Sequence, residues 1–168
     1  MLTAHELFGF MSANLANEIL SFTHESDKPT YKATLGAVAQ ARHVRPVFLE
    51  RQPRAQCHAA IILTLSKPAL EAAAGGLIRV WLVKKQRQML VDFLNALGLP
   101  NNEGVVDDLP AIMDDAKLKT AIDMLLTKYP GEAVAVYLNA FNDMNEANWG
   151  NLKTLLESDK RLQLGVPA

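Results

Sequence analysis

LKTAIDMLLTKY, running from Leu118 to Tyr129, decides the fold class of this chain. Its apolar residues Leu118, Ala121, Ile122, Leu125, Leu126 and Tyr129 fall at i, i+3, i+4, i+7, i+8 and i+11. That is the period of one helix face, not the alternation of a half-buried strand. Asp114 or Asp115 stands where the helix needs an N-cap, and Pro130-Gly131 punctuates its end. Downstream, Val134, Leu138 and Phe141 mark a further helix. A last one is expected from about Asn145, using Trp149, Leu152 and Leu156.

The same grammar runs upstream. Leu7, Met11, Leu15, Ile19 and Phe22 form one stripe, opened by Thr3 and Glu6 as a capping box with Leu2 and Leu7 as its hydrophobic staple. Asp27 caps a second helix, with Pro29 in its first turn and Tyr31, Leu35 and Val38 on its stripe, and Arg45-Pro46 stops it. A third opens at Pro53 and carries Ala59, Ile62 and Leu63. After Ser66-Lys67-Pro68 a long helix is expected from about Ala69 to Leu97. Gly75-Gly76 weakens it by about 2 kcal/mol relative to alanine, which implies a bend or close helix packing there. No run alternates between turn signals as a strand would. The expected fold is therefore all-α: a bundle of about seven or eight helices, or two abutting helical subdomains. Leu7, Met11, Leu15, Ile19, Leu35, Val38, Ile62, Leu63, Leu82, Phe93, Leu118, Ile122, Leu125, Leu138, Phe141, Leu152 and Leu156 are expected in the core. Trp81 and Trp149 are read as packing residues.

Composition agrees. Of 168 residues, 49% are apolar, 21% charged and only 7% aromatic, and alanine and leucine dominate the apolar set. These residues lose little side-chain freedom in a helix. The formal net charge of −1 conceals a polarity. Met1 to Leu90 holds eleven Lys/Arg against six Asp/Glu, a net of +5, and Val91 to Ala168 holds six against twelve, a net of −6. The break Gly98-Leu99-Pro100-Asn101-Asn102-Glu103-Gly104 lies near that reversal. One compact domain is expected, drawn as a basic subdomain over 1–98 and an acidic one over 99–168. Phe93-Leu94-Asn95-Ala96-Leu97 is echoed by Tyr137-Leu138-Asn139-Ala140-Phe141, a spacing that would suit a two-helix repeat.

The chemistry-bearing stretch is ARHVRPVFLERQPRAQCH, Ala41 to His58, with four arginines, two prolines and the single cysteine. Arg42, Arg45, Arg51 and Arg54 are candidate ligands for a phosphate or carboxylate, which the planar guanidinium fork suits. The helix opening at Pro53 would add a positive dipole end. The same arginines would equally serve to cap a helix, bond loop carbonyls or pair with the acidic half. Arg79, Lys84, Lys85 and Arg87 form a second basic cluster. Nucleic acid is the third-ranked partner, because the overall charge is near zero and no helix-turn-helix, zinc-finger or RNA-binding fingerprint is present.

Other activities lack their signatures. No P-loop, G-x-S-x-G or G-x-G-x-x-G occurs. The acidic run Glu103, Asp107, Asp108, Asp114 and Asp115 does not keep the register of a calcium loop and reads as helix capping. His5, His24, His43 and His58 lack zinc-site spacing, and Cys57 and His58, as neighbours on a helix, point about 100° apart. No catalytic residue, metal site or cofactor is assigned. The apolar stretch Ala59–Val83 is interrupted by Lys67, Pro68, Glu71 and Arg79, which a membrane span would not tolerate. The N-terminus lacks the basic start of a secretory signal. The expectation is a cytoplasmic, non-enzymatic interaction or scaffold protein, binding a protein partner or self-associating through its basic and acidic halves. The alternative is a binding domain, or an enzyme built on one, for a small phosphate- or carboxylate-bearing ligand.

Overall fold

A computed structural model describes residues 1–165 of the chain. Among them every regular element is helical, and a lone bridge between Asn102 and Val105 is the nearest approach to a strand. The chain divides into two compact units, Leu2–Trp81 and the remainder from Leu82 onward, which also takes in Met1.

The first unit contains six helices: α1 (Ala4–Phe10), α2 (Ala13–Ser26), α3 (Lys28–Ala41), α4 (Pro46–Glu50), α5 (Arg54–Leu65) and α6 (Glu71–Val80). α6 packs against α1, α2 and α3, and α5 against α1, α2 and α3. The expected first stripe is real, but it lies on two helices. Ser12 breaks the run by accepting the Leu15 N–H at 3.1 Å as the N-cap of α2. Leu7, Met11, Leu15 and Ile19 are nevertheless all buried, because a two-residue break leaves the apolar residues on the same side of the chain. Asp27 caps α3 through the Thr30 N–H at 3.1 Å, as its place before Pro29 implies. Glu71, the first residue of α6, reaches across to α1. Its carboxylate accepts the Ala4 and His5 N–H groups at 3.0 and 2.9 Å and contacts His5 Nδ1 at 2.5 Å. Burial raises the Glu71 carboxyl, but these hydrogen bonds outweigh it and hold the group below the usual carboxylate range.

Two core expectations fail on α5. Ile62 is half-buried and Leu63 is 66% exposed, while the helix buries Cys57, His58, Ile61, Thr64 and Leu65. In Ile61-Ile62-Leu63-Thr64-Leu65 the apolar residues are too continuous to fix the helix phase. Thr64 turns inward because its hydroxyl is satisfied locally, donating to the Ala60 carbonyl at 2.7 Å.

The long helix expected from Ala69 to Leu97 is interrupted. A 3-10 turn (Pro68–Leu70) leads into α6, and a π turn over Trp81–Lys85 follows it. The glycine pair is not where the irregularity falls. A β-carbon at Gly75 would meet Ala4 at an ordinary 3.8 Å, and one at Gly76 would meet nothing within 4 Å.

The second unit contains α7 (Arg87–Ala96), α8 (Asp115–Lys128), α9 (Gly131–Met144) and α10 (Gly150–Ser158), followed by a 3-10 turn (Lys160–Leu162). The described residues thus carry ten α-helices, against seven or eight expected. The surplus comes from the Ser12 break, the interrupted long helix and the short α4, which reads in sequence as a proline corner. The last helix starts at Gly150, not Asn145. Phe93 of α7 and Tyr137 and Phe141 of α9 meet in edge-to-face contacts, and Phe141 continues to Trp149. The two echoed segments therefore pack on each other through their leading aromatics. Asp92 ties α7 to α8 and to Tyr129, accepting from Lys128 Nζ at 2.7 Å and from the Tyr129 hydroxyl at 2.5 Å.

The Gly98–Gly104 connection, where the sequence suggests a boundary, lies inside this second unit. It folds back onto α7: Arg87 pairs with Glu103 at 3.0 Å, and the space for a β-carbon on Gly104 is only 2.8 Å from Leu90 Cβ. Glu103 and Gly104 both take positive φ, 52° and 86°, in a tight turn closed by Asn102 and Val105. Alanine at Gly104 would be strained in backbone and packing alike. Gly104→Ala is expected to cost about 2–4 kcal/mol, while Gly76→Ala should gain about 0.5–1 kcal/mol. Paired urea-unfolding curves check both signs.

Candidate functional site

A cleft of about 460 Å3 opens in the first unit beside α3 and the start of α5. α3 contributes Lys28, Tyr31 and Lys32, which stand at i, i+3 and i+4 and so share a face. α2 supplies His24. Glu50 ends α4, Gln52 lies in the connection, and Arg54 and Cys57 belong to the first turn of α5. Three cations thus line the cleft against one carboxylate. None of Lys28, Lys32, Arg54 and Glu50 is in an ion pair among the described residues.

The floor of the cleft is a small polar network. The Tyr31 hydroxyl lies 3.2 Å from Nε2 of the buried His58, and Cys57 lines the cleft beside it. The His24 ring stands edge-on to Tyr31, with centroids 4.7 Å apart, and its Nδ1 receives Arg54 Nη2 at 3.5 Å. Burial, joined by the neighbouring Cys57, pushes the Tyr31 hydroxyl up to about 12. Burial also raises the Cys57 thiol above its ordinary value, with Glu50 adding to it and Tyr31 opposing. Cys57 is therefore a protonated thiol near neutral pH, not an activated nucleophile. Burial, then Arg54 and His24, push His58 below its ordinary 6.5 and keep it neutral.

That depression has a sign. Below about pH 6.5 the unfolded chain binds a proton at His58 that the folded chain refuses until lower pH. The neutral histidine's contribution is fully present above 6.5 and declines as the pH falls through and below that value. His58→Gln is expected to cost about 1 kcal/mol at pH 7.5 and to show a shallower loss of stability between pH 7.5 and 5 than the parent. Urea unfolding across that range checks it.

The four arginines singled out in the sequence are all exposed, and the cleft takes only one of them, Arg54. Arg42 lies at the end of α3 and donates to Thr64 Oγ1 at 3.4 Å. Arg45 and Arg51 hold the N-cap and C-cap positions of α4, outside the cleft lining. The cations that join Arg54 are the two lysines of α3. Their i, i+4 spacing is readable in the sequence, but Tyr31 beside them stands on the apolar stripe expected of this helix. It is half-buried, with its hydroxyl toward the cleft network.

α5 also starts unusually. It has no side-chain cap and no acidic residue in its first turn, and Arg54 occupies its first position. A cation at the positive end of the helix dipole is unfavourable, and an anion beside it relieves that.

The second basic cluster is dispersed between the units. Arg79 is on α6 in the first; Lys84, Lys85 and Arg87 are in the second, where Arg87 is engaged with Glu103 and the Val83 carbonyl. The division at Trp81 also softens the charge polarity. Leu2–Trp81 carries eight Lys/Arg against six Asp/Glu, a net of +2, and the rest nine against twelve, a net of −3. Asp114 caps α8 through the Lys117 N–H at 2.9 Å. Among the described residues no group of three or more His, Cys, Asp or Glu is placed to hold a metal ion. Among the described residues no single helix is long and apolar enough to cross a membrane.

Comparison of the chain with protein-family models, curated proteins and solved structures found no match, so the reading of the cleft rests on its own geometry.

Proposed function

We propose that this all-α protein is a binding domain for a small anion, a phosphate- or carboxylate-bearing molecule held in the α3–α5 cleft. The observation that carries the reading is the gathering of Lys28, Lys32 and Arg54 from two helices around one cavity without ion-pair partners among the described residues. Like charges brought together repel, and a bound anion offsets that repulsion. Tyr31 and His24 supply directional polar groups beside them. Thermal melts with inorganic phosphate and with succinate test the proposal. Stabilisation by either one, lost on replacing Lys28 and Arg54 with glutamine, supports it. No stabilisation by either, or equal stabilisation of the double variant, overturns it.

Self-association is the second reading, favoured by a different observation. Val44, Val47 and Phe48, around and on α4, are 40%, 38% and 56% exposed and interleave with Arg42, Arg45 and Arg51. In the second unit Val105 and Ile112 are 52% and 84% exposed beside Asp107 and Asp108. A basic apolar corner of one copy complements an acidic apolar loop of another, a head-to-tail pairing. Sedimentation velocity at rising concentration is expected to show association that weakens with salt and with Phe48→Ser. A monomer at every ionic strength and concentration would remove this reading.

A further inference from the structure

We infer that the cleft is built for a soluble phosphomonoester in its dianionic form, in preference to a monoanionic carboxylate or sulfate ester. The inference rests on the anion-binding reading above and makes it specific.

Charge is the first ground. Lys28, Lys32 and Arg54 set against Glu50 give the lining a formal excess of two positive charges. A phosphomonoester, with a second ionisation near 6, carries nearly two negative charges above neutrality. A carboxylate or sulfate ester carries one and would leave a cation uncompensated.

Shape is the second. The cations approach from separate elements: two ammonium groups one turn apart on α3, and a guanidinium from the first residue of α5. A tetrahedral group with three terminal oxygens can accept from donors on several sides. A carboxylate presents two coplanar oxygens, which a single arginine fork satisfies best.

Size is the third. A volume of about 460 Å3 exceeds what a free phosphate ion fills and falls within the range of sites for small organic ligands. The perpendicular rings of Tyr31 and His24 offer a partly apolar corner for the body of the ester.

The test is calorimetric titration of the whole chain at pH 7.5 with phenyl phosphate, phenyl sulfate and phthalate. Phenyl phosphate and phenyl sulfate are near-isosteric and differ chiefly by one charge; phthalate is a dianion without a tetrahedral centre. Phenyl phosphate is expected to bind at least about tenfold more tightly than either. Lys32→Gln, a change at an exposed position, should erase most of the advantage over phenyl sulfate while leaving the thermal melt of the free protein unchanged. Equal binding of phenyl sulfate, or tighter binding of phthalate, would overturn the phosphomonoester assignment and leave the anion cleft standing. Binding of none of the three, together with no retention on vesicles containing phosphatidic acid, would overturn both. Vesicles containing phosphatidic acid, which shows the same headgroup chemistry, form the remaining arm. Retention on them without binding of phenyl phosphate would assign the cleft to a lipid surface and overturn the soluble ligand.

Discussion

Phe93→Ala is expected to lower the free energy of unfolding by about 3–5 kcal/mol. Phe93 is fully buried, and its ring lies 5.5 Å from Tyr137 and 5.4 Å from Phe141, nearly perpendicular to both. Tyr137 and Phe141 are one helical turn apart on α9 and 5.8 Å from each other, so the three rings form a closed cluster. Phe141 is in turn fixed by Trp149, at 5.0 Å. Trp149 cannot follow a collapse into the vacated space without losing the bond from its indole N–H to the Pro110 carbonyl at 2.8 Å. The cavity would therefore stay largely open, which places the cost at the upper end for a large-to-small change. Urea unfolding followed by far-UV circular dichroism measures it. A loss below about 1 kcal/mol would show that α7 and α9 are not packed as described.

The second large effect concerns the cleft. Lys28→Gln, Lys32→Gln and Arg54→Gln combined are expected to weaken binding of a phosphomonoester by at least about 100-fold. A hydrogen bond to a charged group contributes about 1.5–3 kcal/mol, and three are removed. The folded state should not suffer. All three side chains are exposed and none is in an ion pair among the described residues, so removing their mutual repulsion leaves stability level or slightly higher. This opposition of affinity and stability is the useful signature, because a merely structural cluster would lose both. Unchanged affinity in the triple variant would place the anion elsewhere.

What the sequence revealed, and what it hid, follows from the kind of information each feature carries. Helix identity was legible where apolar spacing and capping chemistry coincide, as at Asp27 before Pro29 and at Asp114 before the Leu118–Tyr129 template. Phase was lost on α5, where unbroken apolar residues let Leu63 pass for a core side chain although it faces outward. The break at Ser12 is not legible in the spacing, since a serine cap inside a regular stripe leaves the stripe intact. The arginine-rich stretch pointed to the neighbourhood of the cleft but not to its members. Arg42, Arg45 and Arg51 go to helix ends and a threonine hydroxyl, and Lys28 and Lys32 arrive from α3. Their approach to Arg54 depends on how α3 and α5 pack, a long-range fact that no local pattern encodes. His58 is similar: its burial against Tyr31 is tertiary, and only the pair's chemistry, donor and acceptor, is local.

The most direct measurement is an amide-resonance titration of the intact chain with phenyl phosphate by heteronuclear NMR. Saturable shifts confined to residues 24–32 and 50–58 are the expected result. Shifts centred on Arg79–Arg87 or on α4, or a spectrum unmoved at millimolar ligand, would contradict the account.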